Sequence, residues 1–108
     1  HLKDGKIRIL FCIDTLGGGG AEKLLIDILK RFDYEKYAVD LLVLFEEGIY
    51  FADIPEEVSW FFSGSEKVKN RFYDIEVAFL EGLAVKYIAE RGSVAVKVAW
   101  VHAVKSFL

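Results

Sequence analysis

Residues 6–30 read KIRILFCIDTLGGGGAEKLLIDILK. Positions 7–13 are apolar throughout except for Arg8, a pattern that suits a strand covered on both faces rather than one with a wet side. The run ends at Asp14-Thr15-Leu16 and passes through Gly17-Gly18-Gly19-Gly20. It then resumes as Ala21, Leu24, Leu25, Ile28, Leu29 and Phe32, at the spacing of one helical face. Glu22 in the first turn and Lys30 and Arg31 in the last complement the helix dipole. Positions 37–45, broken only by Asp40, predict a second strand. Strand, glycine-rich turn, helix, strand is a βαβ unit, whose two strands pair in parallel.

Working outward, residues 46–57 hold the only proline, Pro55, and predict a connection with room for one helical turn. Residues 58–62 predict a short third strand. Ser63-Gly64-Ser65 and the basic run around Lys67, Lys69 and Arg71 read as a solvated loop. Residues 74–80 predict a fourth strand, in which Ile75, Val77 and Phe79 alternate against Glu76 and Ala78. A second helix over 82–91 is closed by Gly92, and a fifth strand over 96–101 ends at His102. The expected fold class is α/β: a three-layer, Rossmann-like, open and mainly parallel sheet of about five strands, order 3-2-1-4-5, with helices on its faces. In that order the chain must cross two strands between Phe62 and Asp74. A right-handed crossover normally needs a helix, and about a dozen residues barely suffice. The expectation is a deletion or an omitted loop near 63–72, or a peripheral third strand.

The bulk numbers agree with one domain. With 108 residues, 54% of them apolar and a single proline, the chain has enough core-forming side chain to exclude disorder and too little length for two domains. A net charge of −3 supplies no cationic field, which argues against nucleic acid or an anionic membrane as primary partner. Cys12 stands alone in an apolar run, which predicts a buried, reduced thiol and a cytoplasmic location. No apolar stretch approaches the roughly 18 residues that span a bilayer.

In an open parallel sheet, ligands bind beyond the carboxyl ends of the strands where strand order reverses. The residues that follow strands one, four and five are Asp14 through Gly20, Glu81-Gly82 and His102. The glycines would let the amides that open the helix at Ala21 approach a phosphate, or would simply form a tight turn that packs the helix close to the sheet. The Gly-Lys-Ser/Thr ending of a P-loop is absent, and Gly-x-Gly-x-x-Gly is not met, since Lys23 stands where the last glycine would be. His102 could donate to a substrate oxygen or move a proton, or serve as a structural hydrogen-bonding group. Glu81 could accept from a sugar hydroxyl or cap the following helix. Asp14 and Thr15 could line the same cleft, although an Asx turn accounts for Asp14 equally well. Trp60, Phe61 and Phe62 read as core or partner surface. Nothing has metal-ligand spacing.

Lys6-Ile7-Arg8-Ile9-Leu10-Phe11, running through Asp14-Thr15-Leu16 into the glycines and Ala21-Glu22-Lys23, resembles the opening of bacterial family 4 glycosyltransferases of the GT-B type. Residues 73–82 and Ala99-Trp100-Val101-His102 resemble later segments of the same N-terminal domain, in the same order. The resemblance implies a Rossmann-like half that holds the acceptor, a carbohydrate or glycolipid. A C-terminal half would supply most contacts to a nucleotide-diphosphate sugar, and transfer would proceed with retention in the cleft between the halves. Gly18 and Gly19 would then approach the donor diphosphate or sugar, with Gly17 and Gly20 completing the loop. His102 would match the histidine beside the reacting sugar, and Glu81 and Gly82 would lie on the acceptor side. The family needs no metal as a rule, so no cofactor is implied beyond the donor substrate. In the family a longer helical stretch usually joins the third and fourth strands, and a Thr and an acidic residue commonly follow the histidine where this chain has Ala103-Val104. The chain stops at Leu108, so it is expected to be inactive alone, to self-associate through surface left uncovered, and to belong to an enzyme that is cytoplasmic or peripheral at the inner membrane face. The alternative expectation is a stand-alone Rossmann-like nucleotide-binding or interaction module without catalysis.

Overall fold

The computed structural model describes residues 5–17, 19–79, 82–93 and 95–100. Its elements are β1 (Ile7–Ile13), α1 (Gly20–Lys30), β2 (Tyr37–Val43), a 3-10 turn (Phe51–Asp53), β3 (Ser59–Phe62), α2 (Glu66–Lys69), β4 (Ile75–Phe79), α3 (Leu83–Glu90) and β5 (Val96–Trp100). The five strands form one sheet in the order β3-β2-β1-β4-β5. Every pairing is parallel, so the order expected from the βαβ pattern holds across the whole sheet.

The central position of β1 accounts for its unbroken apolar run, because neighbouring strands lie on both sides and helices on both faces. Ile9, Phe11 and Ile13 point to a first face, where Leu25, Ile26 and Leu29 of α1 pack on them together with Leu41, Val43, Val77 and Phe79. Leu10 and Cys12 point to the second face, where Ala84 and Ile88 of α3, Val68 of α2 and Tyr73 cover them with Leu42 and Ala78. Helix α1 ends at Lys30, short of the expected Phe32. The Phe32 ring nevertheless reaches the core, edge-on to Phe11 at 5.9 Å and to Tyr37 at 5.4 Å.

The connection from β3 to β4 differs from the solvated loop that its polar composition suggested. It runs through α2, a helix of four residues, where the Lys67 N–H donates to the Ser65 side chain at 3.2 Å and Val68 is wholly buried. One apolar residue among charges leaves no periodicity to read, so contact with the sheet decides the helix. The trailing residues are tied down by a row of polar groups on the second face. Asp40, Leu10 and Glu76 stand side by side across β2, β1 and β4. Asp40 Oδ2 accepts from Arg71 Nη1 at 2.7 Å and from the Tyr73 hydroxyl at 2.6 Å. Glu76, on the strand face expected to be polar, is fully buried. Its Oε2 accepts from Arg91 Nε at 2.9 Å and from Ser93 Oγ at 2.9 Å. The same guanidinium donates to the carbonyls of Val68 at 3.1 Å and Arg71 at 3.2 Å. Arg91 thereby joins α2, its exit segment, β4 and the end of α3. Among the described residues, no helix is long and apolar enough to cross a membrane.

Candidate functional site

Strands β1 and β4 are neighbours, yet the chain leaves them in opposite directions. After β1 it enters α1 on the first face, and after β4 it enters α3 on the second. The loops therefore part above the sheet at the β1/β4 boundary, the place where this topology opens a crevice.

The β1–α1 loop is held in place. The Leu16 N–H donates to the Glu47 carbonyl at 2.9 Å, and the Ile49 N–H donates to the Leu16 carbonyl at 2.8 Å, which makes a bridge between Leu16 and Gly48. Gly48 has φ 138°, and a Cβ there would overlap the Leu16 backbone, so the approach of the two segments requires glycine. The Leu16 side chain is fully buried. Beyond that anchor, the Gly17 N–H donates to Thr15 Oγ1 at 3.4 Å. Gly19 is the N-cap of α1, with extended backbone and no side-chain cap. The first amides of the helix thus open toward the loop with no side-chain acceptor on the cap residue. Glu22 folds back over them: a methyl group at Gly19 would come within 2.5 Å of Glu22 Oε1, and one at Gly17 within 3.7 Å of Oε2.

Asp14 does something that neither sequence reading anticipated. Its Oδ1 accepts from the Ala84 N–H at 2.7 Å and its Oδ2 from the Leu83 N–H at 3.1 Å. The carboxylate of the β1 loop therefore caps α3 from across the crevice rather than forming an Asx turn. Gly82 occupies the local cap position with φ 115° and contributes no side chain. A Cβ on Gly82 would lie 2.7 Å from Asp14 Oδ2, so its part here is to leave room for the carboxylate. No local spacing announces this contact, because the partners are 69 and 70 positions apart.

The structure thus brings together Asp14, Thr15, Gly17, Gly19, Gly20 and Gly82, while Gly18, Glu81 and His102 lie outside the described residues. Glu22 joins the group, although in sequence it read only as a dipole-matched first-turn acid. What these residues offer is main-chain donors and one hydroxyl, beside two carboxylates: Asp14, taken up by the α3 amides, and Glu22, folded back against Gly19. Cys12 is close by in sequence, but burial above all, with the negative charge of Asp14, pushes its thiol up to about 12, and Arg91 offsets this only in part. It is a protonated core thiol rather than a nucleophile. Among the described residues, no cluster of three His, Cys, Asp or Glu side chains could hold a metal. An open groove of about 870 Å³ lies between α2 and α3 and is lined in part by Ser65, Lys69, Arg71, Tyr87 and Arg91. Its two arginines are already engaged by Asp40 and Glu76, which makes it a weaker candidate than the loop crevice. Comparison with protein-family models, with curated proteins and with solved structures finds no match.

Proposed function

We propose that this chain is the acceptor-side, N-terminal domain of a retaining GT-B glycosyltransferase, and that its β1–α1 glycine loop approaches the diphosphate of a nucleotide-diphosphate sugar. The observation that carries the reading is the glycine N-cap of α1 at the reversal point of a parallel 3-2-1-4-5 sheet. Main-chain N–H groups at such a helix start attract anions without any added cation. The resemblance of the β1–α1 segment to family 4 enzymes supports the same assignment. On this reading His102 serves beside the reacting sugar and Glu81 faces the acceptor, a carbohydrate or glycolipid. A second α/β half completes the donor site, and the whole enzyme works in the cytoplasm or against the inner membrane face. A stand-alone nucleotide-binding module is the second reading, supported by the fact that the loop amides belong to this chain alone.

The test is a titration of the chain with uridine diphosphate and with uridine diphosphoglucose, followed by amide NMR shifts. Saturable movement of Gly17, Gly19, Gly20 and Ala21 is expected. Unmoved loop amides at millimolar ligand would overturn both readings. Joining the domain to a donor-binding half separates them, because only the transferase reading expects sugar transfer.

A further inference from the structure

Strand β5 closes the sheet on the β4 side, and among the described residues no strand pairs with its outer side. The Val96 N–H donates to the Asp74 carbonyl at 3.0 Å, so the main chain of Val96 turns toward β4. Main-chain groups alternate in direction along a strand. Val98 and Trp100 therefore also turn toward β4, and the N–H and C=O of Lys97 and Ala99 turn outward. The side chains divide between the faces. Val96, Val98 and Trp100 stand on the first, in register with Ile75, Val77 and Phe79, while Lys97 and Ala99 stand on the second, in register with Glu76 and Ala78. Val96 is 65% exposed, Val98 42% and Trp100 40%, beside Val77 at 7% and Phe79 at 0%, so the covered apolar face stops at this edge. The opposite edge differs: β3 has four residues, and Phe51 packs on its Trp60 and Phe62.

A second copy fits the β5 edge in one register. Two antiparallel β5 strands related by a two-fold axis exchange hydrogen bonds only where outward-turned residues face each other, which sets the axis at residue 97, 98 or 99. An axis at Lys97 puts that ammonium directly against its own copy, and like charges opposite each other destabilise a pair. An axis at Ala99 leaves Val96 and Lys97 with no partner in β5. An axis at Val98 sets Val98 against Val98, Val96 against Trp100 and Lys97 against Ala99 of the second copy. That register uses all five residues, gives each Lys97 an uncharged neighbour, and twice joins a β-branched side chain to an aromatic one. Lys97 is the one charged residue of β5, so two chains of net charge −3 meet here without an acidic pair.

We infer that the outer edge of β5 is a homodimer interface, in which two copies join antiparallel about a two-fold axis at Val98 and two five-stranded sheets become one. Lys97 and Ala99 supply the main-chain hydrogen bonds, and Val96, Val98 and Trp100 the apolar contact. A two-fold interface of this kind closes at two copies. The inference is independent of the proposed function.

The experiment is sedimentation velocity of the chain at rising concentration, together with amide hydrogen exchange of Lys97 and Ala99. A single step from one chain mass to twice that mass is expected, with exchange at both amides slowing as the dimer fills. Ala99→Pro removes an outward N–H that the β4 ladder does not use, and is expected to weaken dimerisation at least about tenfold. Val98→Lys is the second variant should the proline form not fold, with the same expected direction. Register is read by crosslinking in a Cys12→Ala background, since Cys12 is the native thiol. With oxidised glutathione, Val98→Cys is expected to form a disulfide between copies, because residues facing each other on the axis stand about 4.5 Å apart between Cα atoms; Val96→Cys, four positions from its own copy, is not. A monomer at every concentration would overturn the inference, as would a ladder of larger species or a dimer that either variant keeps when folded. Lys97 and Ala99 amides protected equally at all concentrations would assign the edge to residues of the same chain, and overturn it too. Crosslinking of Val96→Cys in preference to Val98→Cys would overturn the register.

Discussion

Gly48 holds the loop crevice in shape through a contact that only glycine permits. It sits at φ 138° against the Leu16 backbone, so a methyl group would meet main chain that cannot swing aside. Gly48→Ala is expected to lower stability by about 1–3 kcal/mol or more, through backbone strain and loss of the Leu16 bridge. Urea denaturation measures it, and an unchanged midpoint would contradict the geometry. Cys12 gives a second residue-level test, through pH. Its thiol is raised from 9.0 to about 12, chiefly by burial. The unfolded chain therefore gives up this proton first. Stability is full below about pH 9, falls as pH rises toward 12 by at most ~1.4 kcal/mol per pH unit, and levels above that. Burial likewise raises Tyr34 to about 12, and burial with the Asp40 hydrogen bond raises Tyr73, so all three contribute to alkaline loss. Cys12→Ala removes the thiol share alone. Comparison of its urea midpoints with those of the unaltered chain at about pH 8 and about pH 10.5 isolates that share.

At the scale of elements, the short crossover from β3 to β4 depends on Arg91 more than on α2 itself. Four residues of helix cannot be stable alone, and what keeps them against the sheet is buried Val68 and the guanidinium that takes the Val68 and Arg71 carbonyls. Glu76 opposite it is fully buried. Arg91→Met leaves that carboxylate without its cation and the two carbonyls without their donor, and is expected to cost about 3–5 kcal/mol in chemical denaturation. Adding Glu76→Leu to Arg91→Met is expected to restore much of the loss, because the uncompensated charge goes with it. Wild-type stability in the single variant would show that the pair does not carry the crossover.

Across the whole molecule, the two ends of the sheet are unequal. At the β3 edge, Phe51 of the 3-10 turn packs against Trp60 and Phe62 in tilted and edge-to-face contacts, with centroids 5.1 to 5.7 Å apart. At the opposite edge every residue of β5 is exposed, and Val96, Val98 and Trp100 stand in register with Ile75, Val77 and Phe79 on the first face. Among the described residues no strand pairs with the outer side of β5, and such an edge with an apolar face favours association. Sedimentation velocity at rising concentration is expected to show self-association that Val98→Lys reduces. A single monomeric species at every concentration would contradict this.

Local pattern in the sequence pointed to the parallel β1–α1–β2 core of the sheet and suggested its order, while the short crossover between Phe62 and Asp74 left the place of β3 open until the pairings were seen. An unbroken apolar β1, a glycine turn and an amphipathic α1 suggest a parallel βαβ start, and the order 3-2-1-4-5 that follows from it, with its crevice at the β1/β4 boundary, is the one the structure shows. The sequence also identified Asp14, Thr15, the loop glycines and Gly82 as residues at that edge, because each follows directly on a strand. What it did not contain was their roles. Asp14 became the cap of α3, Gly48 the partner of Leu16, and Glu76 a buried ion-pair acceptor, through contacts between segments remote in the chain. Local pattern reports which way the backbone turns and which face is apolar; only the tertiary structure decides which distant donor a side chain meets, since burial removes the water that would otherwise satisfy it.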